Sequence, residues 1–211
     1  MAQSGKFPDR RMGGIPPVTH APCVSKMRKV MVIGSAGAGK STFSTRLGKI
    51  LELPVYHLDS IFWRPGWVRP EREVWTQAQE ALVAGDEWIL DGNYGSTLEI
   101  RVRACDTVIF LAFPRLVCLG RVIKRWLRYR GRTRPDLNPG CVEHMPDREF
   151  LSWIWGFPKR KAPGVFALLE QYREGRQVFV IESPRALEHF ARKLEGSARR
   201  RRLEEEGMDV G

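Results

Sequence analysis

Val30–Phe43 reads VMVIGSAGAGKSTF. Four apolar residues, three of them β-branched, make a short buried strand. The eight that follow fit G-x-x-x-x-G-K-[ST] at every fixed position: Gly34, Gly39, Lys40 and Ser41. Small residues between them let the backbone curl until successive N–H groups converge on one anion, and the helix that begins here adds its positive end. The spacing predicts a phosphate cradle made by Gly34, Gly37, Ala38, Gly39, Lys40, Ser41 and Thr42. Lys40 reaches the β- and γ-phosphates, and Ser41 offers its hydroxyl to Mg²⁺. A glycine-rich turn with an exposed lysine would match the letters but not the strand before them and the helix after them.

Outward from this stretch, strands and helices alternate. Strands are expected at Val55–Leu58, Trp88–Leu90, Thr107–Phe113 and Gln177–Ile181. Helices are expected at Ser41–Leu51, Glu71–Ala84, Pro114–Arg128 and Pro184–Leu194. Arg148–Arg173 reads as helix broken or kinked by Pro158 and Pro163. Such alternation specifies an α/β fold, a five-stranded parallel sheet with helices on both faces in three layers, the P-loop NTPase arrangement. On the helix after Pro114, Leu116, Leu119, Ile123 and Trp126 are expected to form the buried stripe. Residues 1–26, with four prolines and no hydrophobic period, read as a flexible arm or as sequence ahead of a start at Met27. Residues 27–194 form the domain, and 195–211 a charged tail.

The chain has 211 residues, 43% of them hydrophobic, which excludes a wholly disordered protein. The longest clean apolar run is Val108–Phe113, too short to span a membrane. Lys and Arg number 35 against 24 Asp and Glu, a net charge of +11 that favours anionic partners such as nucleotides or nucleic acid. Cys105 and Cys118 lie in apolar surroundings and imply a reduced, cytoplasmic compartment. Cys141 and His144 are close enough to share a metal, but zinc needs four ligands and no second pair exists.

Phosphoryl chemistry on such a loop needs a carboxylate at a strand end. Asp91 follows Trp88-Ile89-Leu90 and is assigned to Mg²⁺; Asp59 follows Val55–Leu58 and is assigned to the phosphoryl acceptor as general base. The two roles are exchangeable on sequence grounds. His57 reads as a packed strand residue. From Arg115 to Arg134 there are eight basic residues and no acidic one. Arg121, Arg125 and Arg128 share a helix face and suit the charge of phosphoryl transfer. The same density would serve a phosphodiester backbone, with a salt slope of about −6 to −7 for seven or eight contacts.

With these parts assembled, the chain resembles the P-loop kinases that include adenylate kinase. It is especially similar to the bacterial adenylate kinase-like proteins labelled DNA topology modulation proteins. The resemblance covers Met27–Leu194 and rests on VMVIGSAGAGKSTF, LPVYHLDSIFWRPGW, WILDGNYGSTL, DTVIFLAFPR and RYRGRTRPDLNPGC. It implies strand order 2-3-1-4-5, ATP as donor with Mg²⁺, and a closing arginine-rich lid over about Tyr129–Pro146. In adenylate kinases Asp-Gly ends the third strand, as Asp91-Gly92 does here, and an arginine pair four apart precedes the lid, as Arg121 and Arg125 do. The arginine that holds a monophosphate acceptor in adenylate kinases is absent; Asn93-Tyr94-Gly95 stands in that place. Arg101 or Arg103 is a substitute, and Arg64, in the aromatic stretch Phe62–Trp67, lies where an acceptor lobe belongs. The resemblance thus implies a phosphotransferase acting on a nucleotide or other small acceptor. The label suggests the alternative, an ATP-dependent nucleic-acid-binding protein.

Overall fold

Five short strands, each rich in Val, Ile, Leu or Phe, pair in parallel because every connection between them is a crossover. A computed structural model describes residues 22–205. The strands are β1 (Lys29–Gly34), β2 (Val55–His57), β3 (Trp88–Asp91), β4 (Thr107–Leu111) and β5 (Gln177–Ile181), in the order β2-β3-β1-β4-β5. The register sets Val32 beside Asp91 on one side and Ile109 on the other. The architecture is the three-layer P-loop fold.

The helices are α1 (Lys40–Leu51), α2 (Leu58–Phe62), α3 (Arg72–Ala84), α4 (Leu98–Ala104), α5 (Arg115–Tyr129), α6 (Arg148–Arg160), α7 (Ala162–Gln171) and α8 (Pro184–Glu205). Alternation along β1 divides the core between two faces. Val30 and Val32 pack with Phe43 and Leu47 of α1 and with Phe190 and Leu194 of α8. Met31 and Ile33 pack with Trp75 of α3, Val102 of α4, Phe157 of α6 and Phe166 of α7. The helical stretch beginning at Arg148 breaks after Arg160, and α7 restarts with Pro163 in its first turn, where a missing N–H is harmless.

One expectation needs correction, and ordered structure extends past both ends of 27–194. The buried stripe of α5 is Cys118 and Val122, whereas Leu116 is 71% exposed and Ile123 is also exposed. The cause is the phosphate loop: a Cβ on Gly37 would lie 2.2 Å from the Cys118 carbonyl oxygen and 3.0 Å from Val122. The loop therefore seats on that face of α5. At the C-terminal end the charged tail is helical through Glu205. Ala198 is buried, Glu195 pairs with Arg46, and Arg202 pairs with Glu52. At the other end, Val24 is buried, and Cys23 exchanges hydrogen bonds with the Gln177 side chain. Most of the expected arm, residues 1–21, and the tail residues 206–211 lie outside the described residues.

Candidate active site

Three glycines shape the phosphate loop: Gly34, Gly37 and Gly39 hold φ of 146°, 80° and 91°. Two of these positions also admit no side chain. At Gly34 a Cβ would meet the Leu111 carbonyl at 2.5 Å, and at Gly37 the Cys118 carbonyl at 2.2 Å. Gly39 is the left-handed residue from which α1 starts. Asn93 braces the loop from the turn after β3: its Oδ1 accepts from the Gly34 N–H at 3.0 Å, and its Nδ2 donates to the Gly34 carbonyl at 2.6 Å. Nothing in periodicity singles out Asn93; its position two residues after Asp91 was the available signal.

Lys40 donates to the carbonyls of Gly34 and Ser35, both at 3.2 Å. Desolvation lowers its pKa, opposed by the nearby carboxylates of Asp59 and Asp91. A charged phosphate oxygen is a stronger partner than either carbonyl. Thr42 is exposed on the first turn of α1 and, with Gly37, Ala38, Gly39, Lys40 and Ser41, lines a cleft of about 1780 Å³.

Asp91 is buried at the end of β3, where its Oδ1 lies 3.5 Å from the Ser41 hydroxyl. His57 Nδ1 contacts Asp91 Oδ2 at 2.5 Å. That hydrogen bond raises the His57 pKa above its ordinary value, against the opposing effect of burial. His57 is thus more than a packed residue: it orients the carboxylate from the neighbouring strand. For Mg²⁺ the donors fit. Ser41 and Asp91 are hard oxygen ligands side by side, and among the described residues no cluster of three His, Cys, Asp or Glu could hold a metal unaided. A cation here would complete its shell with phosphate and water, which is how Mg²⁺ is usually held.

Asp59 lies in the first turn of α2, two residues beyond the end of β2 rather than directly after a strand ending at Leu58, and lines the same cleft. The Tyr94 hydroxyl donates to its Oδ1 at 2.6 Å. Burial, then the Asp59 charge, push the Tyr94 pKa up, so the phenol keeps its proton.

Arg121, Arg125 and Arg128 all line the cleft. Arg121 donates to the Ala38 carbonyl at 3.1 Å and its guanidinium stands over the Phe113 ring. Arg125 donates through Nε to Glu143 at 3.0 Å. Burial lowers the Arg125 pKa, with Arg134 adding to the effect. The basic run is therefore not uncompensated. Glu143, whose side chain is 4% exposed, also lies 2.9 Å from Nε of Arg134, close enough for attraction but out of hydrogen-bonding alignment.

Two expected acceptor residues lie elsewhere. Arg101 has no exposed surface and does not line the cleft; it donates to the carbonyls of Gly92, Asn93 and Tyr94 at 2.7, 2.7 and 3.1 Å. The turn after β3 has inward carbonyls that need donors, and a buried guanidinium supplies several at once. Burial brings its pKa down to about 10, still charged at neutral pH. Arg64 is exposed and outside the cleft; its neighbour Arg69 lines it, above the Trp63 ring at 5.5 Å. Arg103 pairs with Glu99 at the surface.

The segment between α5 and α6 is the expected lid, and it is bonded to the stretch of residues 60–67, where the acceptor lobe was expected. Asn138 donates to the carbonyls of Ser60 and Trp63, Gly66 N–H to Gly140, and Trp67 Nε1 to Val142. Cys141 is buried with its thiol against the Arg64 carbonyl at 3.2 Å, which removes it as a partner for His144 in a metal site.

The sequence matches no family model and no curated protein. Solved structures with a similar course of chain include the shikimate kinase from Acinetobacter baumannii in complex with shikimate (18% identity, 84% of this chain and 96% of that one, TM-score 0.47). Others are a gluconokinase from Sinorhizobium meliloti 1021 (16%, 83% and 93%, TM-score 0.45) and the deoxyadenosine kinase from M. mycoides (15%, 81% and 97%, TM-score 0.47). Nothing about chemistry follows from likenesses of this size. No helix among the described residues is long and apolar enough to cross a membrane.

Proposed function

We propose that this protein is an ATP-dependent phosphotransferase that moves the γ-phosphoryl group onto a hydroxyl of a small acceptor. The observation that carries this reading is the single cleft lined at once by the phosphate loop, Asp59 and Arg121, Arg125 and Arg128. The amides of residues 37–42 and Lys40 bind the triphosphate. Ser41 and Asp91 would hold Mg²⁺, which when bound neutralises charge on the β- and γ-phosphates. Asp59 takes the proton of the acceptor hydroxyl. The hydroxyl oxygen then forms the new bond to phosphorus, the bond from phosphorus to the β,γ-bridging oxygen breaks, and ADP leaves with that electron pair. Guanidinium groups suit the charge carried by the transferring group, since their planar forks meet phosphate oxygens in pairs.

Closure over the cleft excludes water, the competing acceptor. The bonds between the lid segment and residues 60–67 are consistent with the lid and acceptor lobe moving together. A nucleic-acid surface built from Arg128, Arg130, Arg132 and Arg134 loses one member, because Arg134 is 8% exposed and engaged with Asp136 and Glu143, while the other three are exposed.

Incubation with γ-labelled Mg-ATP and a panel of nucleosides, monophosphates and small alcohols tests the proposal. Label should move to at least one acceptor, and Lys40→Ala and Asp59→Asn should each slow transfer at least a hundredfold. Transfer at the normal rate by Lys40→Ala would overturn it.

A further inference from the structure

The acceptor half of the cleft is walled by rings. Trp63 and Trp67 meet edge to face with centroids 5.3 Å apart, Trp67 meets His144 at 5.6 Å, and Tyr94 and Phe157 also line the space. Two of these residues are held in left-handed backbone, Tyr94 at φ 29° and Trp67 at φ 61°. For bulky residues that is strained, and it persists only where the surroundings over-determine it. Here they do. Arg101 grips the carbonyl of Tyr94 and of the two residues before it, and Trp67 is tied to Val142 through its indole N–H. So held, the Tyr94 hydroxyl rests on Asp59 and the Trp67 indole against the lid.

The buried cations around these rings are spent; Lys124 and Arg128, which line the same cleft, are exposed on α5. Arg101 serves carbonyls, Arg134 is engaged by Asp136 and Glu143, and Arg125 by Glu143. Arg69 lies over Trp63 and, like Lys161, is exposed at the rim, where solvent screens it. Of the carboxylates of Asp59, Glu99 and Asp136 that line the same space, Glu99 is paired with Arg103 and Asp136 with Arg134, which leaves Asp59, held by the Tyr94 hydroxyl. A phosphomonoester needs charge-assisted donors aimed inward. A neutral flat ring needs aromatic faces, and its hydroxyl needs the one carboxylate that Tyr94 has oriented.

Resting on the phosphotransfer reading, we infer that the acceptor is an uncharged alcohol carried on a flat ring, of the nucleoside class, and not a nucleoside monophosphate. Asp59 accepts the proton of that alcohol as its oxygen bonds to the γ-phosphorus and ADP departs. Trp63, Trp67 and Tyr94 decide specificity.

Calorimetric titration of the full chain with adenosine, guanosine, cytidine and thymidine, each against its 5′-monophosphate, tests this, with xylitol as a ring-free alcohol. At least one nucleoside should bind at least tenfold more tightly than its monophosphate. Trp67→Leu should weaken it at least tenfold, and Tyr94→Phe, the milder change, should lower kcat for it more than it raises KM. A monophosphate binding as tightly as its nucleoside, xylitol binding better than every nucleoside, or no nucleoside binding at millimolar concentration would each overturn the inference. The two readings fail separately. A nucleoside that binds, with no label moving from Mg-ATP to it or to any other acceptor of the panel, leaves the ligand class standing and removes the phosphotransferase. Label recovered in a nucleoside diphosphate keeps the phosphotransferase and overturns the acceptor class.

Discussion

Replacing Glu143 by Gln removes one charge from the place where the lid meets α5. The carboxylate is almost wholly buried, with Arg125 Nε at 3.0 Å from one oxygen and Arg134 Nε at 2.9 Å from the other. Removing one partner of a buried pair costs about 3–5 kcal/mol, mostly because the remaining charge is left without compensation. The lower figure applies, since Arg134 keeps Asp136 at 3.1 Å and Arg125 is partly exposed. About 3 kcal/mol corresponds to a fall in melting temperature of about 6–12 °C if the segment unfolds with the rest of the domain. If it opens alone, melting is unchanged, and the loss emerges as faster hydrogen exchange at the amides of Gly131 and Glu143, which bond across the segment. The same energy then means exchange on the order of 100-fold faster. Calorimetry and hydrogen exchange on one sample cover both cases. A melting point within about 2 °C of the parent, with exchange in residues 130–146 unchanged, would refute the reasoning.

The phosphate loop makes a sharper steric prediction. Gly37→Ala should lose about 1–3 kcal/mol in denaturant unfolding, because the backbone is left-handed there and the Cβ meets the Cys118 carbonyl. Among the thiols, Cys23 is exposed while Cys105, Cys118 and Cys141 are buried, and burial pushes the Cys105 thiol up to about 11. One thiol per folded chain should react with a disulfide reagent at pH 8, and four after unfolding; two or more fast thiols in the folded protein would contradict the packing. For His57 the folded pKa is raised by Asp91. Its contribution to stability is therefore complete below the unfolded value of about 6.5 and is lost as pH rises through the folded one. An imidazole NMR titration in metal-free buffer should give a pKa above 6.5 that Asp91→Asn brings down; an unshifted His57 would remove the pair.

How far the sequence could be read depends on how local each cause is. The strand, the glycine spacing and the helix start around Lys40 are set by neighbours within ten residues, so the loop and the parallel sheet were legible, while the strand order followed only from the resemblance to P-loop kinases. Asp91 was legible because β3 ends on it, and Arg121 and Arg125 because helix periodicity puts both on one face. What escaped depends on partners distant in sequence. Arg101 reads as a free cation until the carbonyls of residues 92–94 turn inward upon it. Glu143 lies outside the basic run it neutralises. The burial of α5 was misassigned because periodicity gives the spacing of a stripe and not its direction; contact with Gly37 turns Cys118 and Val122 inward. His57 and Asn93 escaped for the same reason, each acting on a residue from another strand.

The most direct test of the phosphate-loop assignment is an amide NMR titration of the protein with Mg-ATP. Resonances of Gly37 to Thr42 should shift together and saturate, and Lys40→Ala should weaken the apparent affinity at least tenfold without disturbing the rest of the spectrum. Saturable binding that leaves those six amides unmoved, or binding unaffected by Lys40→Ala, would contradict it.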